Sequence, residues 1–271
     1  MILKEKLKLQ KYLNMITEND FIKIKKQIRL LMTYSALISL LLIVMLLSAL
    51  KKNSKSQNFD EINVKRINII ESNGMPRLII SNKELSPDVL SYGKTFGIPG
   101  KNRPGIIFYN DEGTENGGLT FMGKTDSISG KYTATGHFSF DQYNQNQVLY
   151  LQYADENGER TTGLYIDDWH EKPVFPQWRS LYKSAQKMPE GPDKTAKLNQ
   201  LMEPEKGNPA YAHRVFIGKD SNKAAIINLS DKEGKTRIQL IVDSLGTAKL
   251  IFLDQSGNIV CNLPESLQQR K

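Results

Sequence analysis

With one cysteine in 271 residues, Cys261, the chain can form no intrachain disulfide, so its fold is held by buried surface or by association. Roughly 210 residues can bury well over half of their surface without a staple. Cys261 itself lies in the apolar run Ile259-Val260-Cys261 and reads as a buried, inert thiol rather than a nucleophile. Charge is missing altogether between Leu30 and Leu50, LLMTYSALISLLLIVMLLSAL. Net charge is also nearly missing from everything that follows: of the total +8, residues 1 to 52 carry +7, from ten Lys and Arg against Glu5, Glu18 and Asp20. A nearly neutral domain lacks the concentrated positive field that phosphate backbones require, which excludes nucleic acid as a partner. No Asp-x-Asp-x-Asp-Gly loop with a closing Glu occurs, and no cofactor or metal signature is legible.

What is present begins with the uncharged stretch. Twenty-one residues at about 1.5 Å each span the ~30 Å hydrocarbon core of a bilayer, so 30–50 reads as one transmembrane helix. Eight Lys and Arg precede it, and Lys51, Lys52 and Lys55 follow closely, which places the N-terminus in the cytoplasm and the bulk of the chain outside. A cleavable signal peptide fits poorly: the basic lead is too long, the apolar run exceeds ~15 residues, and Leu47 stands where a cut after Ala49 wants a small side chain. Within residues 1–29, Leu9, Tyr12, Leu13 and Ile16, then Phe21, Ile24 and Ile28, recur at steps of three and four among lysines. That is an amphipathic helix for the inner leaflet of the bilayer, or for a second copy of itself, and Asn19-Asp20 is expected to begin a second helix that enters the membrane. Residues 51–61 are polar and aperiodic, a linker before a domain at 62–271.

In that domain one pattern returns: an apolar run, an acid, two residues, a glycine, then an apolar run that often opens with arginine. It occurs as Glu71–Gly74 with Arg77, Asp155–Gly158 with Arg160, and Asp231–Gly234 with Arg237, and continues at Asp243–Gly246 and Asp254–Gly257. Asp at the first position of a type I turn bonds the backbone ahead of it, and Gly accepts positive φ where the chain re-enters the ladder. The expected fold is mainly β, an antiparallel hairpin meander. Because Ile241, Ile251 and Leu253 add apolar residues to what would be the wet face, packing on both faces is expected, as a sandwich, a barrel or a stacked β layer. Trp178, Leu181, Tyr182 and Ala185 change the period to helical, and a helical insertion is expected over about 175–203, where it would cap an open sheet edge.

Candidate site residues come from three stretches. Between 105 and 121 a glycine-rich turn carries Asp111, Glu112 and Glu115 and contains no Gly-Lys-Ser/Thr, which disfavours phosphate and leaves a turn with a bulge, or a small polar-ligand pocket. Phe138–Gln147 sets Asp141, Tyr143 and a run of amides between aromatic residues, suited to sugar hydroxyls or to closing a strand edge. Asp167, Asp168, Trp169, His170 and Glu171 crowd carboxylates and a histidine together, though strand neighbours point to opposite faces. His137 and His213 stand isolated in the sequence. Asp111, Glu115, Asp141, Tyr143, Asp168, Trp169 and His170 are therefore the candidate ligand-binding set, with no catalytic residue assigned.

The stretches NDEGTENGGL (110–119), FDQYNQNQ (140–147) and Ile67–Ser81 resemble an uncharacterised group of bacterial membrane-anchored β-hairpin-repeat proteins, over about residues 62 to 263. The resemblance implies the anchor and the hairpins and carries over no activity and no site residue. The chain is thus expected to be a single-pass membrane protein displaying an extracytoplasmic β domain for binding or scaffolding. Its partners would be the bilayer and a protein or a second copy. The alternatives are an envelope carbohydrate-binding or glycan-acting protein, and a structural part of a membrane assembly.

Overall fold

The computed structural model describes residues 2–50, 57–100 and 102–264. The expected linker at 51–61 falls largely outside the described residues. The chain divides into two units between Ile62 and Asn63.

The first unit is one helix, α1 (Ile2–Leu50), long and apolar enough to cross a membrane. It runs unbroken through Asn19-Asp20, where a second helix start was expected. No Gly or Pro interrupts the 49 residues, and Asn and Asp lower helix propensity by only a fraction of a kcal/mol, roughly ≤0.7, too little to end a helix. None of its most apolar window is buried within the protein.

The second unit is a sheet of twelve strands in antiparallel meander order. Its strands are β1 (Arg66–Ile70), β2 (Pro76–Ser81), β5 (Gly105–Tyr109), β6 (Glu115–Thr125), β7 (Tyr132–Asp141), β8 (Gln147–Glu156) and β9 (Glu159–Trp169). They continue as β10 (Tyr211–Lys219), β11 (Ala225–Ser230), β12 (Thr236–Val242), β13 (Ala248–Leu253) and β14 (Ile259–Leu263). A separate two-strand hairpin, β3 (Leu90–Ser91) with β4 (Lys94–Thr95), lies in the β2–β5 connection. β1 and β14 are the two free edges, so the meander is neither a two-sheet sandwich nor a closed barrel. The helical insertion, α2 (Phe175–Gln186) and α3 (Pro192–Met202), joins β9 to β10, which pair directly in the middle of the sheet. It therefore does not cap an edge.

The turns follow the expected chemistry with one exception. At Asp231, Asp243 and Asp254 the carboxylate Oδ1 accepts two backbone N–H groups at 2.8–3.1 Å, and a glycine with φ near +80° closes each turn. Arg237 reaches back to Asp231, with Nε to Oδ2 at 2.7 Å, and Arg77 does the same to Glu71 at 2.7 Å, which explains the arginine that opens the second run. Asp155 is the exception. The turn there is the two-residue Asn157-Gly158, both at positive φ, with Glu156 opposite Glu159. Asn-Gly suits a tight hairpin better than Asp-x-x-Gly does, so Asp155 stays in β8, buried, paired to Arg160 at 2.6 Å.

Register gives the two faces different characters. One row of directly paired residues crosses all twelve strands: Ile67, Ile80, Ile106, Leu119, Phe138, Leu151, Leu164, Ile217, Ile227, Leu240, Leu250 and Leu263. A second row lies beside it: Ile69, Leu78, Phe108, Gly117, Phe140, Leu149, Ile166, Val215, Leu229, Ile238, Phe252 and Cys261. Paired residues share a face, so this is one continuous apolar band. Phe108 and Phe140 stack at 6.0 Å on either side of Gly117.

The opposite face is mixed. Ile79, Ile107 and Tyr109 form a small core there, with Leu90 of the β2–β5 connection packed on it. Farther along, Tyr150 and Tyr165 stack at 4.7 Å and Phe216 follows at 4.9 Å. A Cβ on Gly163 would stand 2.3 Å from the Phe216 ring, so that ring packs only because the position is glycine.

Candidate functional site

The turns Asn110–Thr114 and Gln142–Asn146 lie at the same end of the sheet, as does the β9–α2 loop. Residues 82–100 and 102–104 fold back over the mixed face to meet the first two: Tyr92 N donates to Thr114 Oγ1 at 2.9 Å, and Asn144 Nδ2 donates to the Tyr92 hydroxyl at 2.7 Å. Beneath this strap is a cavity of about 160 Å³. Leu90, Phe96, Ile98 and Phe175 supply its apolar walls, and Arg103, Glu115, Asp141, Asn144 and Gln147 its polar lining.

Strand geometry explains why these groups meet. Glu115 opens β6 opposite Tyr109, turned to the mixed face by the extra residue Asn116, and Asp141 closes β7 on the same face by ordinary alternation from Phe140. Arg103 forks onto Glu115, with Nη1 to Oε1 at 2.6 Å and Nη2 to Oε2 at 3.1 Å, and Nη2 also donates to the Pro87 carbonyl at 3.1 Å. Burial works against the Arg103 charge, but the Glu115 hydrogen bonds prevail and its pKa is raised. Asp141 behaves differently. Burial, reinforced by the Glu115 charge and opposed by Arg103, pushes its carboxyl up to about 8, so it is protonated at neutral pH. Asp141 Oδ1, Asn144 Oδ1 and Arg103 Nε are enclosed and have no hydrogen-bond partner among the described residues. The cavity thus holds an ion pair, a neutral acid and idle polar atoms between apolar walls.

The amides of 142–147 are spent mostly on structure. Gln142 Nε2 donates to the Trp169 carbonyl at 3.0 Å while its Oε1 accepts from Trp169 N at 3.2 Å, extending the ladder. Gln145 Nε2 lies 2.7 Å from the His170 carbonyl and 3.0 Å from those of Glu171 and Pro173, fixing the β9–α2 loop.

Of the seven sequence candidates, the structure brings Glu115 and Asp141 into the cavity and leaves the rest outside its lining. Asp111 is exposed and pairs with Arg77. The Tyr143 hydroxyl donates to the Glu112 carboxylate at 3.0 Å. Asp168 pairs with Arg214 across a bulge in β10. Trp169 is a packing hub, stacked on Tyr211 at 5.1 Å and edge-on to Phe175 and Trp178. His170 Nδ1 lies 2.6 Å from the Lys172 carbonyl.

Arg103 went unnoticed in the sequence because nothing local marks it: it reaches Glu115 twelve residues away. His213, isolated in sequence, in fact meets Asp167 at 2.8 Å, and Tyr150 bonds the same carboxylate at 3.2 Å. Its pKa is raised by the Asp167 hydrogen bond. Gly118 to Thr125 also matches the spacing of a phosphate loop, GLTFMGKT, but it lies wholly within β6 and precedes no helix, so it cannot wrap a phosphate. No protein-family model matches the sequence, and no curated protein matches it.

Proposed function

We propose that this chain is a single-pass protein of the cytoplasmic membrane, with its N-terminus in the cytoplasm, whose β domain stands outside and acts by binding. The observation that carries this reading is α1, one uninterrupted helix whose apolar window is wholly unburied and whose basic residues are concentrated at its N-terminal side. Topology labelling tests it. In a Cys261→Ser background, a cysteine at Ser127, in an exposed turn between β6 and β7, should react with a membrane-impermeant maleimide in intact cells. A cysteine at Glu18 should react only after permeabilisation. The reverse pattern overturns the orientation, and release of the protein by alkaline carbonate overturns the anchor.

A second reading, a carbohydrate-binding domain, is favoured by the convergence of Glu115 and Asp141 in one part-aromatic cavity. Binding fits better than catalysis, because both Glu115 oxygens are occupied by Arg103 and neither is free to act as nucleophile or base. Calorimetric titration with glucose and with N-acetylglucosamine should give a binding heat that Asp141→Leu abolishes. No heat with either sugar would remove this reading.

A further inference from the structure

We infer that the apolar band across the twelve strands is a track for lipid acyl chains taken from the membrane that holds the anchor. The inference rests on the anchored reading, and it is independent of the carbohydrate cavity, which lies on the opposite face.

Three observations select acyl chains over a protein. The first is composition. Of the twenty-four positions in the two rows, Gly117 and Cys261 are the only ones that are not Ile, Leu, Val or Phe. Protein interfaces carry roughly one hydrogen bond per 100–200 Å² and favour Tyr, Trp, Met and Arg, none of which occurs in these rows. A surface with no directional group suits an occupant with none.

The second is shape. Twelve strands about 4.8 Å apart make the band roughly 50 Å long, and only two residues of one face wide. Adjacent strands twist by about 20–25°, so the band winds along the sheet, a path that a flexible hydrocarbon can follow throughout. The third is a local widening. At Gly136 the missing side chain opens a shallow depression of about 570 Å³ walled by Phe121, Phe138, Leu151, Tyr153 and Ile217, within the size range of small-molecule and cofactor sites. Eleven of the twenty-four positions are exposed, spread from Ile67 on β1 to Leu240 on β12; Leu151 is 53% exposed, Ile217 43% and Leu240 46%.

In-cell photo-crosslinking of the full chain tests this. p-Benzoylphenylalanine is placed at Leu151, Ile217 or Leu240 on the band, and at Asn228 or Gln239 on the opposite face. These band positions are open enough to take the larger ring without repacking. After irradiation of cells grown with radiolabelled acetate, the purified chain should carry lipid adducts at all three band positions, several-fold above the two controls. Phospholipid mass added to the intact chain identifies the adduct. Equal labelling on both faces, no lipid adduct on the band, or adducts of twice the chain mass or to another protein would each overturn the proposal. Carbonate extraction of the unsubstituted chain separates these outcomes from failure of the anchor itself.

Discussion

Asp141 carries the sharpest consequence of the fold at the level of single residues. Its pKa is near 4 in an unfolded chain and about 8 when folded, because burial and the Glu115 charge both disfavour its ionised form. Between those values the folded state keeps a proton that the unfolded state has lost, so stability falls as pH rises from 4 to 8. His213, also raised, contributes stability that is lost as pH climbs through its folded pKa, in the same direction. Asp231, Asp243 and Asp254 are lowered, the first by backbone bonds from Lys235 and Glu233 and by Arg237 outweighing burial, the others mainly by Thr247 and Asn258; they act oppositely, losing their contribution in acid. Asp141→Asn should therefore flatten the alkaline side without touching the acid side. At pH 8 it should be more stable than the unsubstituted chain by about 1–3 kcal/mol, discounted from the full shift for solvent access. Urea midpoints of the full chain in detergent micelles, taken at pH 5 and pH 8, measure this, and equal drops in both proteins would contradict the assignment. Little of this was legible beforehand. Asp141 and Glu115 could be named as candidates from their polar, glycine- and amide-rich stretches, but their shared face depends on the bulge at Asn116 in β6, and Arg103 arrives on a connection with no regular pattern.

Among the elements, local chemistry was legible wherever a turn contained its own explanation. Asp231, Asp243 and Asp254 bond the backbone two and four residues ahead, and such bonds need only the turn's own residues. Asn157-Gly158 was obscured because Asp155 sits three residues before the glycine and mimics the longer turn. What spacing could not reveal is which strand glycines are structural. Gly163 and Gly136 are both mid-strand, in β9 and β7, without positive φ. A Cβ on Gly163 would lie 2.3 Å from the Phe216 ring and 2.9 Å from the Ile217 carbonyl oxygen, while on Gly136 the nearest atom is 4.0 Å away. Gly163→Ala should thus lower stability by about 1–3 kcal/mol through overpacking. Gly136→Ala should leave it unchanged or raise it by up to about 1 kcal/mol, since alanine is the less flexible residue in the unfolded chain. Thermal unfolding of the two variants separates them, and a comparable loss in both would show that Phe216 has room to move.

For the whole molecule, the two faces divide the chemistry. The mixed face buries its few core residues under the strap between β2 and β5 that carries Leu90, and there the polar cavity forms. The other face keeps an unbroken apolar band. Antiparallel register is easily interrupted, and this sheet is interrupted six times: after Ile69, Phe108, Phe140, Leu229 and Phe252, and between His213 and Val215. Every one of these shifts begins immediately beyond the second apolar row. Each extra residue reverses the alternation of its own strand from that point outward, so a shift one pair earlier would set Arg77 or Arg237 opposite Ile69 or Leu229 in place of Leu78 or Ile238 and split the band. The placement also explains why the band is invisible in the sequence. Its residues are spaced two apart within a strand, but rows align only after the bulges are known, and the apolar residues just outside, such as Leu253 and Ile259, then count toward neither row. The same shifts serve the turns, because the extra residue at Arg77 and Arg237 swings the guanidinium back onto Glu71 and Asp231. One device thus closes the hairpins at one end of the sheet and stops short of the surface on which the acyl-chain proposal depends.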